Sequence, residues 1–222
     1  MGNGQSVRHD TNLVISTAVV GALSAARGEG WSVPWAAADR PNSDDASDVA
    51  WLLFAEALAA QTEMNLERAL GLAVDATEKM HALSGTWDDF THMWPTAVEL
   101  ALDAGDDAVL TRMLALVDVD AGGPVPPCVL THRKRAAGLI AMRDGSPPEL
   151  VESTMRSAIT GFRDWGAVPH RARAEAELGT WLVGQGRADE AAPLIDSARA
   201  AFSDLGASAW LEQLQSQLTP AR

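Results

Sequence analysis

The segments Ala158–Ala167 (AITGFRDWGA) and Ala198–Ala207 (ARAAFSDLGA) align without a gap at an offset of 40 residues. Each runs an apolar stripe into a phenylalanine, then an Asp, a large apolar residue and a Gly-Ala turn. Such self-similarity decides an architecture before any motif is weighed. Give or take one residue, the same offset puts Ala57, Val98, Gly138 and Gly179 in one register. It puts Ala69, Leu110, Val151 and Ala191 in a second, and Ala76, Val117, Ala158 and Ala198 in a third, seven residues later. Small side chains belong where two helices of a pair approach most closely, and pairs that cannot bury their apolar faces alone must stack. Four units are expected, at about 50–90, 91–130, 131–171 and 172–211.

Working outward, apolar residues recur at i, i+3, i+4 and i+7 through most of the chain, and no long stretch alternates with period two. The pattern predicts an all-α protein with helices over 12–27, 46–61, 65–83, 88–104, 107–118, 127–143, 148–164, 168–184, 188–204 and 207–218. Gly85, Gly105, Gly145 and Gly186 are expected as left-handed helix ends; Pro124, Pro126, Pro127, Pro147 and Pro148 cannot continue a helix. The irregular stretch around Trp31–Trp35 and Asp39–Asp45 reads as a linker or lid. The expected division is an N-terminal helix and irregular segment, 1–45, followed by a helical repeat domain, 46–218.

The residues Leu178-Gly179-x-x-Leu182-x-x-x-Gly186-Arg187-Ala188-Asp189-Glu190-Ala191-x-x-x-Ile195-x-x-Ala198 resemble a tetratricopeptide repeat in the spacing of their small residues. Trp94-x-x-Ala97-Val98-x-x-Ala101-x-x-x-Gly105 resembles a weaker copy. A period of about 40 exceeds the family's usual length of about 34, which implies elongated helix pairs in a superhelical solenoid. Three stretches, beginning at Trp94, Leu178 and Phe202, further resemble the C-terminal helical region of actinobacterial signalling ATPases linked to adenylate cyclase or to LuxR-type DNA-binding domains. The likeness spans about 50–214. It implies a sensor or assembly module that couples a bound partner to an output domain. No GxxxxGK[ST] phosphate loop occurs, Lys79 and Lys134 lack the glycine context, and no helix-turn-helix follows residue 207. The ending Leu218-Thr219-Pro220 resembles the residues that open a LuxR-type DNA-binding domain.

Composition narrows the role. The chain has 222 residues, 47% of them hydrophobic, a net charge of −13, eight tryptophans, no tyrosine and one cysteine. That is enough apolar content for a core, and no run of about 18 apolar residues offers a membrane span. The lone Cys128 excludes an internal disulfide and makes the cytoplasm the default. Alanine-rich composition, with 15 arginines to 2 lysines, points to a GC-rich bacterial genome. Met1-Gly2-Asn3-Gly4-Gln5-Ser6 has the spacing of a myristoylation signal, which bacteria do not use; residues 13–26 could pass for a secretory core but for Asp10. Residues 1–111 carry 5 basic and 17 acidic side chains, whereas 112–222 carry 12 and 13. The acidic half argues against direct nucleic-acid binding. Residues 132–173 form a local basic band, read as a solvated helix face.

No catalytic constellation stands out. Asp88, Asp89 and His92 could face one metal, but Thr86 and Asp88 read better as helix-start residues. His81, His132 and His170 lack a ligand partner at i+4 and read as surface or groove residues. Cys128 with His132 one turn on is a nucleophile pair on paper only; a small hydrophobe is the simpler reading. Gly184-x-Gly186 belongs to a repeat turn. Trp51, Trp94, Trp165, Trp181 and Trp210 read as core, and Trp31 and Trp35 as a cap on the repeat or an aromatic contact for a partner. No cofactor is expected.

First-helix residues line the concave face in this family, and the resemblance puts Trp51, His92, His132 and Arg173 at one inward position. Gln61, Glu99, Asp103, Arg135, Arg143 and Thr180 would share that face, grading from acidic to basic. Such a groove suits an extended peptide or helix of mixed charge. The expectation is a non-catalytic protein-interaction or regulatory module of a bacterial signalling system, with self-association open. The alternatives are a small-molecule inducer-sensing domain, or the detached C-terminal part of a cyclase- or ATPase-linked regulator.

Overall fold

Prolines, acids and asparagine at one end and glycines at the other cut this chain into helices. The computed structural model describes residues 4–35, 43–83, 87–118 and 125–219, with side chains from Ile15 onward except at Trp87 and Asp88. The described residues form α1 (Gly4–Arg27), α2 (Ala46–Thr62), α3 (Leu66–His81), α4 (Trp87–Ala104), α5 (Asp107–Ala115), α6 (Pro127–Arg143), α7 (Pro148–Trp165), α8 (Val168–Gly184), α9 (Ala188–Asp204) and α10 (Ser208–Leu218), with no strand among them. The all-α class is as expected, and from α2 onward every helix starts within one residue of its predicted position. Helix α1 starts earlier, at Gly4; residues 4–11 carry no apolar period from which that start could be read. The predicted ends of α3 and α5 overshoot: beyond His81 and Ala115 the chain tightens into i→i+3 bonds such as Leu83 N–H to Met80 and Val117 N–H to Leu114. Gly85, Thr86 and Pro124 lie outside the described residues.

Helices α2, α4, α6 and α8 end in one turn. A residue in the left-handed region follows each, Met64 (φ 58°), Gly105 (66°), Gly145 (66°) and Gly186 (76°). The next N–H reaches back to a carbonyl of the last turn: Asn65 to Ala60, Asp106 to Ala101, Ser146 to Ala141 and Arg187 to Leu182, at 2.9–3.0 Å. This closes the orphan carbonyls of a helix end. Glycine holds the conformation without strain at three of the four places; at the first, Met64 bears a Cβ penalty. Gly166 and Gly206 make the same closure after α7 and α9.

The chain divides into two compact units, residues 1–25 with 29–118, and residues 26–28 with 119–222. The division falls inside the stretch 46–218 expected as one repeat domain. In the N-terminal unit α3 packs on α2 and α4, and α5 packs on α4. Its core includes Trp51, Phe54, Phe90 and Trp94, and the Trp94 indole N–H donates to the Met113 carbonyl at 2.7 Å. The expected linker is anchored in its described part: Thr62 Oγ1 donates to the Trp31 carbonyl at 2.9 Å, and the Trp31 ring lies where a Cβ on Gly21 would be. Residues 36–42 lie outside the described residues.

In the C-terminal unit α7 packs on α6 and α8, α8 on α9, and α10 on α8 and α9, while α6 also touches α8. Two close approaches set the pair spacing: a Cβ on Gly138 would meet the Met155 side chain, and one on Gly179 would lie 2.7 Å from Ile195 Cγ1. The three registers read from the sequence are buried throughout, no apolar member more than 4% exposed.

Candidate functional site

The C-terminal unit contains one side-chain arrangement twice. Phe162 near the end of α7 contacts His170 at the start of α8, with ring centroids 5.5 Å apart, and His132 from α6 meets both, 4.9 Å from Phe162 and 4.6 Å from His170. Forty residues on, Phe202 of α9 contacts Trp210 of α10 at 5.5 Å, and the Arg173 guanidinium of α8 lies 5.2 Å from the Trp210 ring centroid. Each copy joins a phenylalanine, a ring at the following helix start, and a basic side chain from the preceding first helix. The His copy has a fourth member, the half-exposed Trp165, stacked within 4° of the His170 plane at 6.4 Å.

Polar clamps flank these rings. Arg135 on α6 grips Glu177 on α8 with two nitrogens, Nε at 2.9 Å from Oε2 and Nη2 on Oε1. Glu175, buried on the same helix, accepts from Ser197 of α9 at 2.7 Å and stands 3.6 Å from Arg171 and 3.9 Å from Arg163. On the α7–α9 side Arg187 bridges Glu152 and Glu190. Its hydrogen bonds hold both carboxyls below the usual carboxylate range and raise the guanidinium further. Much of the basic band of 132–173 is thus engaged within the unit: Arg135, Arg156, Arg163 and Arg171 face carboxylates on other turns or helices, and Arg143 pairs with its neighbour Asp144.

The ten residues expected on a groove fall five to each unit. Trp51 and His92 come together, ring centroids 5.9 Å apart, in the N-terminal unit. There Gln61, His92 and Asp103 are exposed and Glu99 is half-buried. In the other unit Arg143 is exposed, and Arg173 and Thr180 are half-buried. Trp51, His132 and Arg135 are each only 3% exposed, so they act as packing and clamping groups. For His132 this corrects the expectation of a surface or groove residue: three ring contacts with α7 and α8 residues could not be read from α6 alone. Trp165 likewise departs from the core reading, being half-exposed at a turn.

Sequence reasoning missed Glu175, Glu177 and Arg187 as the acids and base of these clamps. One signal was available: Arg135 and Glu177 are 42 residues apart, one more than the register that links His132 to Arg173. Among the described residues, no group of three or more His, Cys, Asp or Glu side chains is placed to hold a metal ion. Asp88 of the weighed metal set has no described side chain. Cys128 is a free, half-buried thiol in the first turn of α6. No described helix is long and apolar enough to cross a membrane. Comparison with protein-family models, curated proteins and solved structures gives no match.

Proposed function

We propose that the chain is a non-catalytic interaction or regulatory module, built from tetratricopeptide-like helix pairs with a period of about 40 residues, whose first-helix faces hold an extended peptide or helix. The observation that carries the reading is the left-handed turn after α2, α4, α6 and α8, at residues 64, 105, 145 and 186, spaced by 41, 40 and 41. A recurring turn at that interval supports stacking of like pairs in a superhelical solenoid. The twofold Phe–ring–base arrangement supports it independently. On this reading Arg143, Arg173 and Thr180 supply the charged and polar contacts on the first-helix face of the C-terminal unit, and Gln61, His92, Glu99 and Asp103 those on the first-helix face of the N-terminal unit, each taken by itself.

The test is a binding titration of the intact chain against an array of extended peptides graded in charge. At least one charge class should bind, and Arg173→Glu should weaken it about tenfold or more, about 1.4 kcal/mol, with the helical circular dichroism unchanged. No peptide binding, together with a melting temperature raised by members of a metabolite panel, would replace this reading with small-molecule sensing.

A further inference from the structure

We infer that Trp31 is a latch that holds α1 on the N-terminal unit, and that residues 4–25 detach from the unit as one strap when the latch opens. The inference stands whatever the first-helix faces hold. It concerns the N-terminal unit alone, to which residues 4–25, Trp31 and Thr62 all belong.

Helix α1 sits on this unit by its smaller side. Thr17, Ala18 and Gly21 are buried, whereas Val19, Val20 and Leu23 stand 48%, 51% and 51% exposed. Apolar burial stabilises in proportion to area, so a helix that buries Ala and Gly and leaves two valines and a leucine half out draws little from that burial. Among the described residues α2 to α5 pack along one another, and α1 forms no comparable seam with any of them. What fixes it is a knob in a notch. The Trp31 ring fills the place of a side chain on Gly21, where a Cβ would lie 2.7, 2.8 and 2.9 Å from Cη2, Cζ3 and Cε3. Glycine leaves that space, and an indole is the largest apolar surface one side chain can bring to it.

Trp31 thus links two helices, its ring on α1 and its carbonyl on α2. That carbonyl accepts from Thr62 Oγ1, at the end of α2, at 2.9 Å, and the same hydroxyl stands 2.8 Å from the Ala59 carbonyl. When the latch opens, the Thr62 hydroxyl keeps Ala59 as its acceptor and the Trp31 carbonyl passes to water. No donor is stranded at the latch, so opening there costs chiefly the indole contact. Closed, the strap covers the part of the unit that faces Thr17, Ala18 and Gly21; open, it bares that part and carries Val19, Val20 and Leu23 away on a free helix.

The experiment follows backbone hydrogen exchange of the intact chain by mass spectrometry at neutral pH, comparing residues 15–25 with α2 and α3. A helix without tertiary support frays readily in water, so these amides exchange each time the strap opens. In the wild type they should exchange about tenfold or more faster than those of α2 and α3. Gly21→Ala should speed them about tenfold again, although alanine is the better helix former, and Trp31→Ala should do the same. With Trp31→Ala already in place, Gly21→Ala should slow the exchange or leave it unchanged, because the space its Cβ needs is then free. Equal acceleration by Gly21→Ala in both backgrounds overturns the inference, as does a Trp31→Ala variant whose α1 exchanges like the wild type. If the variants fail to fold, the wild type decides: residues 15–25 exchanging in step with α2 and α3 at every urea concentration overturn it.

Discussion

In the N-terminal unit three helix starts are held by side chains: Asp45 accepts from Ser47 N–H, Asn65 from Arg68 N–H and Asp106 from Val109 N–H. In the C-terminal unit none of α6 to α10 has a side-chain cap; α6 and α7 instead begin on Pro127 and Pro148, and α8 has Pro169 as its second residue, the fixed φ of proline suiting the first helical turn. The position that carries the caps Asn65 and Asp106 is taken by Arg187 at the start of α9, where its guanidinium gathers Glu190 and Glu152. One turn geometry is therefore finished by hydrogen-bonding caps in one unit, and by backbone restriction with inter-helix charge pairs in the other. The lesson is that the two units should fail through different substitutions.

The largest difference concerns ion pairs. Glu177→Ala takes two charge-assisted hydrogen bonds from the Arg135 guanidinium, whose side chain is 4% exposed, and should cost about 2–3 kcal/mol in urea unfolding. Glu78→Ala breaks the exposed Arg112–Glu78 pair of the N-terminal unit and should cost less than about 1 kcal/mol. Equal costs would break the comparison. Next comes pair spacing: Gly179→Ala drives a Cβ into branched Ile195 and should destabilise by about 1–3 kcal/mol. Gly138→Ala meets the flexible Met155 thioether instead, and should cost less in the same assay.

Removing a cap is smaller again. Asp106→Ala should lower stability by about 1 kcal/mol by freeing the Val109 N–H. At the turn itself Met64→Gly should raise stability by about 0.5–1 kcal/mol, since relief of left-handed strain outweighs the added freedom of the unfolded chain. The smallest effect depends on pH. Glu152 and Glu190 are held below the ordinary range by Arg187, so their contribution is complete above about pH 4.3 and lost as pH falls through their lowered values. The melting temperature of Arg187→Gln should lie below that of the wild type at neutral pH and converge with it in strong acid.

How much the sequence told depends on the distance over which the deciding forces act. Helix starts from α2 onward were legible because proline, glycine and the apolar period are local signals. The buried registers were legible because small and apolar side chains recur in the sequence at an offset of about 40 residues. The clamps were not: Arg135 reads as one more member of a basic run, and only its partner on α8 decides that it is buried. His132 was misread for the same reason, its rings arriving from α7 and α8. Among the expected groove residues, Trp51 and His92 meet in the structure, but the sequence could not separate solvent-facing positions such as Gln61 and Asp103 from those closed over by a neighbouring helix.

The turn at Met64 has a chemical consequence. Met64 is 89% exposed, whereas Met80, Met93, Met113 and Met155 are 0% exposed. Peroxide converts accessible thioethers to sulfoxides, so Met64 will be oxidised while those four are still protected. Each of the four records its own opening event, Met80, Met93 and Met113 in one unit and Met155 in the other. The order in which sulfoxides accumulate along the chain is thus a built-in clock of which unit breathes first.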